Sequence, residues 1–447
     1  MCDSRTRLLR PAVRFSAMLA LLLFSTAPCI AQPTERDATR ADLHTTDALA
    51  RGAGLRRLAG KHLVLYTDVP ASDEVDELPR LFDLAMPQWA DYLNPSADRW
   101  RDFRAIGCLM ADRDRFARAG LLPAALPPFL HGYCVGRRLW LDEQPSAYYR
   151  RHLLLHEGTH AWLNVFFDGA GPPWYIEGLA ELLATHDYRD GRMTLTHMPR
   201  SKEEAPLWGR IGLIQRAGDE GRALSIDEIL HFGATAHRRN EPYAWSWALA
   251  TFLNAAPQYR DLFRSLLNVP HRQRTGRLRG ELTDGWEDLQ DRWTVFTAEL
   301  EYGHDMARTS LDLTPGATPS KWPYEFDVDA ARGWQNTGLS VVTGEHYRIH
   351  ARGRFQVAKT SRPWISEAGG VSIRYYRGRP LGILLAGVRA EDEAAHRVQG
   401  LVAPQAVGRE STYTPRHAGT LFLRINDSGG ELHDNAGTLQ VTIHPPP

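Results

Sequence analysis

Net charge, long apolar runs and low-complexity segments are all scarce in this sequence. Its 447 residues include 53 lysines and arginines and 53 aspartates and glutamates, a balance that offers no electrostatic surface for nucleic acid. Beyond the N-terminus, no segment approaches the roughly 18 consecutive apolar residues that a transmembrane helix requires. Neither a low-complexity tract nor an internal repeat is apparent. The composition, 43% hydrophobic and 24% charged, is that of an ordinary globular protein with room for two or three domains.

Residues 1–31 have the pattern of a secretory signal peptide. A basic stretch with four arginines precedes a short apolar run from Phe15 to Phe24, and small residues end at Ala31. We therefore expect an exported protein, periplasmic or extracellular, with no transmembrane segment after signal removal. Pro28 before Cys29 disfavours a lipoprotein signal. Retention of the segment as an uncleaved anchor stays open.

Only two of the four cysteines, Cys108 and Cys134, lie beyond this signal. Both stand in apolar surroundings upstream of the motif described below. In an oxidising compartment they form either a disulfide or two buried thiols, and the sequence favours neither.

The pattern of apolar and turn residues predicts an α+β domain over residues 61–302, after a polar lead-in at 32–60. Strands are predicted at 61–67 and 103–110, a helix at 78–92, and a hairpin at 132–141. Ser146 is a predicted N-cap for a long helix to about Asp168, with Gly169 as its stop. A second helix begins near Pro173, and Ser225 to Glu228 form a capping box before further helices.

Composition changes at residues 303–323, where Thr314 to Ser320 have the proline, glycine and serine content of a linker. Short alternating apolar runs separated by turn residues follow to the C-terminus. This spacing predicts an all-β sandwich over residues 324–447.

The most informative motif is His156-Glu157-Gly158-Thr159-His160 in the long helix. Residues four apart lie on one face of a helix, so the imidazoles of His156 and His160 can reach a single ion. Glu157 lies close enough to act as general base toward a metal-activated water. His152 continues the same stripe, and we expect it to be structural or on the substrate side.

A second acidic motif lies on the next helix, in Trp174-Tyr175-Ile176-Glu177-Gly178-Leu179-Ala180-Glu181. Glu177 can supply a third ligand and leave the fourth position open, as a catalytic zinc site requires. Glu181, one turn later, can accept a ligand imidazole N–H. Gly178 favours Glu177 as the ligand, because it would let this helix pack close to the first. The reverse assignment of the two glutamates stays open.

Together these two motifs resemble the gluzincin metallopeptidases, and most of all their peptidase-MA-like members. The resemblance implies a zincin-like fold, Zn²⁺ held by His156, His160 and Glu177, Glu157 as the catalytic carboxylate, and Glu181 orienting a ligand histidine. The spacing from His160 to Glu177 is shorter than in aminopeptidase-N relatives, and no Gly-x-Met-Glu-Asn motif is present, so aminopeptidase specificity is not implied.

Gluzincins add a proton-donating tyrosine or histidine that stabilises an oxyanion. Tyr243, in Tyr243-Ala244-Trp245-Ser246-Trp247, is our candidate, and His237 is a weaker one. The alternative for Tyr243 is a place in an aromatic core helix.

The sequence thus predicts an exported zinc peptidase that acts on a protein or peptide substrate. A strand at Leu139–Leu141 could bind the substrate backbone by β-addition. Two alternatives remain: a carbohydrate-binding or adhesion protein with a silent zincin domain, and a zinc hydrolase of another amide or ester.

The end of the chain resembles PA-IL-like galactophilic lectins, over about residues 333–445. Asn426-Asp427 followed by Asp434-Asn435 has the spacing of the calcium site of that family. The resemblance implies Ca²⁺ held by Asp427, Asp434 and Asn435, with a carbonyl contribution at Glu431. The sugar-contacting segment of the family has no counterpart, so glycan binding is the weaker expectation, and a simple turn remains the alternative.

Overall fold

The computed structural model describes residues 35–95, 98–233, 236, 239–391 and 397–446. The predicted signal peptide and His237 lie outside these residues. The chain from Thr45 onward forms one compact unit, whereas the residues up to His44 belong to another. Among the helices of the described residues, none combines the length and apolar character that a membrane span needs.

The first part of the chain mixes helices with short strands. In order, these are α1 (Glu35–Gly52), β1 (Arg56–Ala59), β2 (Leu63–Thr67), α2 (Asp73–Asp76), α3 (Leu78–Leu93), β3 (Ala105–Met110), α4 (Arg113–Arg118), β4 (Gly132–Val135), β5 (Arg138–Asp142), α5 (Ala147–Phe166), α6 (Pro173–Ala184), β6 (His186–Arg189), β7 (Arg192–Leu195), α7 (Arg210–Asp219), α8 (Ile226–Leu230), α9 (Asn240–Ala255), α10 (Pro257–Ser265), α11 (Arg274–Glu281) and α12 (Trp286–Glu299).

Five of these strands form a mixed sheet in the order β1-β2-β3-β5-β4. The strands β2, β3 and β5 are parallel, and β4 closes one edge in the antiparallel direction. All residues of β2 and β3 are buried, as expected for continuous apolar strands covered on both faces. The edge strand β4 lies along α5. Among the strands of the described residues, β4 pairs on one side alone, so the sheet places an open strand edge beside the His-Glu-x-x-His motif.

Helix α5 begins where the sequence predicted. The Ser146 hydroxyl accepts a hydrogen bond from the backbone N–H of Tyr149 at 3.2 Å, which caps the helix. Gly158 lets α3 pack tightly, because a Cβ there would lie 2.6 Å from the Phe82 ring. The sequence suggested that Gly178 lets α6 pack close to α5, and this prediction was wrong. A Cβ at Gly178 would lie 2.8 Å from the carbonyl oxygen of Ser246, so this glycine brings α6 against α9 rather than α5.

Two segments that looked irregular in the sequence carry structure. The polar lead-in at 32–60 includes α1 and also β1, which pairs with β2 in the sheet. The segment 303–323 has no helix or strand, yet it does not run free: Leu311 and Leu313 are buried, and the Gly303 N–H donates to the carbonyl of Pro199 at 2.7 Å. Proline and glycine content indicated irregular backbone but not its packing.

The C-terminal part is rich in β-structure. Its elements are β8 (Tyr324–Asp329), β9 (Gln335–Val341), β10 (Tyr347–Arg352), β11 (Phe355–Lys359), β12 (Pro363–Ser366), β13 (Gly369–Tyr376), β14 (Arg379–Ala390), α13 (Gln399–Val402), β15 (Gln405–Ala406), β16 (Glu410–Tyr413), β17 (Gly419–Ile425) and β18 (Thr438–His444).

Two antiparallel sheets, β16-β10-β18-β8 and β13-β14-β17-β9, enclose one apolar core. Alternate residues of each strand enter that core: Ile349 from β10, Val441 from β18, and Leu421 and Leu423 from β17 are all buried. Successive side chains of a strand point to opposite faces of the sheet, which explains why apolar residues alternate with polar ones in the sequence of this region.

The β-rich part contacts α12 through a buried polar and apolar surface. On α12, Asp291 accepts from the guanidinium of Arg389 at 2.8 Å, and Glu299 pairs with Arg424. Around these pairs, Val295 packs with Leu313 and Trp334 in a separate apolar cluster. The change in composition at residues 303–323 therefore does not separate two independently packed regions, because α12 and the β-rich part bury side chains against each other.

Candidate metal centre

Three side chains from two helices converge on one point. The Nε2 atoms of His156 and His160 are 3.1 Å apart, and the Glu177 Oε2 atom lies 3.3 Å from the first and 3.2 Å from the second. His156 is buried, while His160 and Glu177 are partly exposed. The predicted ligand set is thus brought together, with one side accessible to solvent.

This triangle fits a tetrahedral metal ion. An ion with ligands at about 2.0–2.1 Å has neighbouring ligand atoms about 3.3–3.4 Å apart, and the three observed distances are only slightly shorter. Two imidazole nitrogens and one carboxylate oxygen are also the donor set that Zn²⁺ uses in catalytic sites. The residues therefore fit the group that the sequence predicted.

The charges around this triangle also call for a cation. We define the cluster as His152, His156, Glu157, His160, Glu177, Glu181 and Arg210. With neutral histidines, its three carboxylates outweigh its single guanidinium, and a divalent ion would neutralise the excess. Burial disfavours protonation of His156, yet the carboxylates of Glu177 and Glu181 raise its pKa to about 10, so a proton on this imidazole and a metal ion at the triangle are alternative ways to offset the negative charge. Burial likewise opposes ionisation of Glu177, but His160 and His156 hold its pKa well below the usual range.

Glu157 lies next to the ligands without belonging to the triangle. It is 6% exposed, and burial raises its pKa, while His156 and His160 act in the opposite direction. Its carboxylate lies against the edge strand, where a Cβ on Gly132 would be 2.6 Å from Glu157 Oε1 and 2.9 Å from its Cγ. Gly132 is therefore the residue that leaves room for this carboxylate.

We expect Gly132→Ala to lower turnover without removing the metal. The new methyl group would meet the Cγ atom, which cannot move as freely as the end of the side chain, so the carboxylate must shift. A misplacement of about 1 Å can cost about 10²-fold in rate. Zinc content and kcat, measured on the same preparation, check this. Gly136→Ala is the matched control, because a Cβ at this position meets nothing within 4 Å. The φ of Gly136, +57°, adds some backbone strain to this variant.

Glu181 lies on the Nδ1 side of His156, whose Nε2 atom belongs to the triangle. Its Oε1 atom is 3.4 Å from His156 Nδ1, and its Oε2 atom is 3.3 Å from His152 Nε2. Arg210 donates to both oxygens, at 3.0 and 2.9 Å. Burial opposes ionisation of Glu181, but Arg210 and His152 hold its pKa well below the usual range. His152 is 1% exposed and its Nδ1 atom lies 3.2 Å from the carbonyl of Ala184, which gives it a structural place.

Arg210 is a cluster residue that the sequence did not reveal. It begins α7, after Leu207 and Gly209, which both have positive φ values, +67° and +63°. Trp208 between them packs edge-on against Trp247 at 4.7 Å. This turn directs Arg210 into the cluster, and no motif in the sequence marks it.

Tyr243 lies in the first turns of α9 and faces the centre. Its ring centroid is 5.7 Å from that of His156, and the Arg210 guanidinium carbon lies 5.6 Å from the tyrosine ring. Burial raises the pKa of Tyr243, and the carboxylates of Glu177 and Glu157 raise it further. The phenol therefore keeps its proton and remains a hydrogen-bond donor.

Of the three residues predicted to bind calcium, Asp427 and Asn435 are in direct contact, whereas Asp434 also contacts another strand. Asn435 Nδ2 donates to Asp427 Oδ2 at 2.8 Å, and Asp427 is fully buried. Burial raises the pKa of Asp427 to about 6. The Oδ2 atom of Asp434 is directed to β11, where it accepts a hydrogen bond from the backbone N–H of Lys359 at 2.8 Å. The Oδ1 atoms of Asp434 and Asn435 are buried, and neither has a hydrogen-bond partner in the part of the chain that the structure describes.

Cys108 and Cys134 are both free thiols. Cys108 lies on β3, whereas Cys134 lies on β4, and β5 separates these two strands in the sheet. Burial raises the pKa of Cys108 to about 12. The disulfide alternative is therefore excluded in this fold.

Comparison with known proteins adds little. No family model matches the chain, and no curated protein matches it either. Among solved structures, the chain is similar to one described as EclA N-terminal domain, a PllA-like lectin, with 23% sequence identity and a TM-score of 0.21. The match covers 27% of this chain and 95% of that one. The structure itself is that of a mixed α/β protein with a β-rich C-terminal region and a cluster of two histidines and a glutamate.

Proposed function

We propose that this protein is an exported zinc-dependent peptidase of the gluzincin type. The observation that carries the proposal is the triangle of His156 Nε2, His160 Nε2 and Glu177 Oε2, with all three edges between 3.1 and 3.3 Å. These residues would hold Zn²⁺. An adjacent buried carboxylate, a protonated phenol and an accessible strand edge complete the elements that amide hydrolysis requires.

Bound Zn²⁺ would supply Lewis-acid chemistry, since it lowers the pKa of a coordinated water and polarises a carbonyl group. Glu157 accepts the proton of the attacking water and returns it to the leaving amine. The raised pKa of Glu157 suits both the uptake and the release of this proton better than the pKa of an ordinary carboxylate would. Tyr243 donates a hydrogen bond to the oxyanion that forms on the substrate carbonyl.

The substrate backbone would bind along β4. The sequence pointed to Leu139–Leu141 for β-addition, and this was wrong, because β5 is paired on both sides, with β3 and with β4. β4 has one free edge, and its first residue, Gly132, contacts Glu157. An extended peptide added to that edge would pass directly over the cluster.

Metal content tests the proposal first. We expect about one zinc per chain in purified residues 32–447, and loss of that zinc in His160→Ala. A peptide library then identifies cleavage, with the chelated protein as control. Zinc uptake without peptide cleavage would move the reaction to another amide or ester, and absence of zinc uptake on titration would reject the proposal.

We expect Tyr243→Phe to lower kcat about 10²-fold while the zinc content stays unchanged, because the variant lacks the hydroxyl that donates to the oxyanion. The ring and its packing against His156 are retained in this variant. An unchanged rate would leave Tyr243 as a packing residue of α9. Tyr92→Phe, on α3, is a suitable control for the loss of a half-buried phenol, since Tyr243 is also half-buried.

A second proposal concerns the β-rich region, where Asp427, Asp434 and Asn435 would bind Ca²⁺ as a structural ion. The two buried Oδ1 atoms without partners support it, because calcium prefers such oxygen ligands. Packing of Gly429 and Gly430 against His304 and Tyr302 favours a structural role over sugar binding. Millimolar calcium should raise the midpoint of thermal unfolding in the wild type and not in Asp427→Asn; equal shifts would reject the site.

A further inference from the structure

The cluster contains two overlapping sets of side chains with the geometry to hold a metal ion, and the sets share His156. One set is His156, His160 and Glu177, and the other is His152, His156 and Glu181. In each set, one ligand atom from each residue lies within 4.8 Å of the other two. His156 faces the first set with Nε2 and Glu181 of the second set with Nδ1. Geometry alone therefore does not decide which set holds an ion.

The second set has features that would attract a cation. The Nε2 atom of His152 and the Nδ1 atom of His156 are both buried, and neither makes a hydrogen bond within the described residues. They approach the two oxygens of Glu181 at 3.3 and 3.4 Å. Two imidazole nitrogens and a carboxylate form the same donor set as in the first triangle.

Arg210 distinguishes the two sets. Its Nε and Nη2 atoms donate to Glu181 Oε2 and Oε1 at 3.0 and 2.9 Å, so the guanidinium engages both oxygens of that carboxylate. No comparable cation contacts Glu177 among the hydrogen bonds and ion pairs of the described residues, where its partners are His156 and His160. A metal ion in the second set would lie a few ångströms from a fixed positive charge in a buried site, where such repulsion is strong.

We propose that Arg210 is the positioning residue that selects the first set. It neutralises Glu181 and keeps both of its oxygens from a metal ion, so Glu181 orients His156 instead of competing for the ion. The exposed side of the first set, where His160 and Glu177 are partly accessible, is then the one place at which the cluster binds metal and meets substrate. This inference rests on the proposed function, since it concerns the same metal centre.

Zinc affinity in a His160→Ala background tests this inference. That variant removes a ligand of the first set and leaves the second set intact. We expect Arg210→Met combined with His160→Ala to bind zinc at least about 10-fold more tightly than His160→Ala alone, because Glu181 becomes available. Adding Glu181→Gln to the double variant should abolish the gain. Arg216→Met, an exposed position on the same helix, should give no gain in the same background.

Removal of a buried guanidinium could unfold the chain, so Arg210→Lys provides a second route. An ammonium contacts a carboxylate at one point, which frees one oxygen of Glu181 while charge is retained. Equilibrium dialysis, with circular dichroism as the check on folding, measures the zinc bound by each variant. If neither folded variant gains affinity over His160→Ala, the inference is overturned. Lack of zinc binding by the wild type would instead overturn the proposed function.

Discussion

Replacement of Glu157 by glutamine should lower kcat by about 10²- to 10⁴-fold, the range for loss of a general base. Glutamine keeps the size of the side chain and so preserves the contact with Gly132, but a neutral amide cannot take up a proton from water. Because Glu157 contributes no atom to the triangle of His156, His160 and Glu177, zinc content should remain at the wild-type level. Steady-state kinetics and metal analysis on one preparation separate these two effects.

Two results would contradict this role of Glu157. A rate close to that of the wild type would show that another group accepts the proton. Loss of zinc together with activity would show that Glu157 is itself a ligand. Glu203→Gln, at an exposed glutamate that does not belong to the cluster, controls for the general effect of the exchange.

Replacement of Arg424 by methionine should lower the free energy of unfolding by about 3–5 kcal/mol, the cost of breaking a buried ion pair from one side. Arg424 and Glu299 have side-chain exposures of 5% and 9%, and Arg424 also donates to the carbonyl of Asp427 at 2.7 Å. Without the guanidinium, the Glu299 carboxylate keeps, among the described residues, only the hydrogen bond from the Trp334 indole at 3.0 Å. Urea unfolding measures the change.

The control for this prediction is another ion pair of the same region. Arg374 pairs with Glu431, but their side chains are 41% and 47% exposed. Arg374→Met should therefore change stability by no more than about 1 kcal/mol. Combining Arg424→Met with Glu299→Gln should restore part of the loss, since no unpaired buried charge remains. Equal effects of Arg424→Met and Arg374→Met would contradict the assigned role of burial.

Local sequence patterns predicted the elements that carry the centre. Ser146 as an N-cap, the spacing of His156 and His160, and Pro173 at the start of α6 depend on interactions within a few residues, which the sequence shows directly. The bounds of α3 and β3 likewise follow from periodicity within each segment. The two helices α5 and α6 carry six of the seven residues of the cluster, all except Arg210.

What the sequence did not predict depends on contacts between distant segments. Arg210 follows Glu181 by 29 residues and reaches it through a turn with two positive φ values. Gly132 matters because of Glu157, on the neighbouring helix, and a glycine in a short strand looks like a weak position. The partner of Gly178 was mistaken for the same reason, since the closest helix in space, α9, is not the closest in sequence. Buried Leu311 and Leu313 similarly contradict the open appearance of the linker.

The acidic face of α12 has a consequence for how the chain can be divided. The cations that neutralise Asp291 and Glu299 come from Arg389 and Arg424, beyond the composition break. A truncated protein ending near residue 302 would present these carboxylates and the apolar side chain of Val295 to solvent together. Such a fragment is expected to aggregate or to be degraded during expression. We therefore expect the two regions to unfold together as one cooperative unit, in keeping with the single compact unit that runs from Thr45 onward.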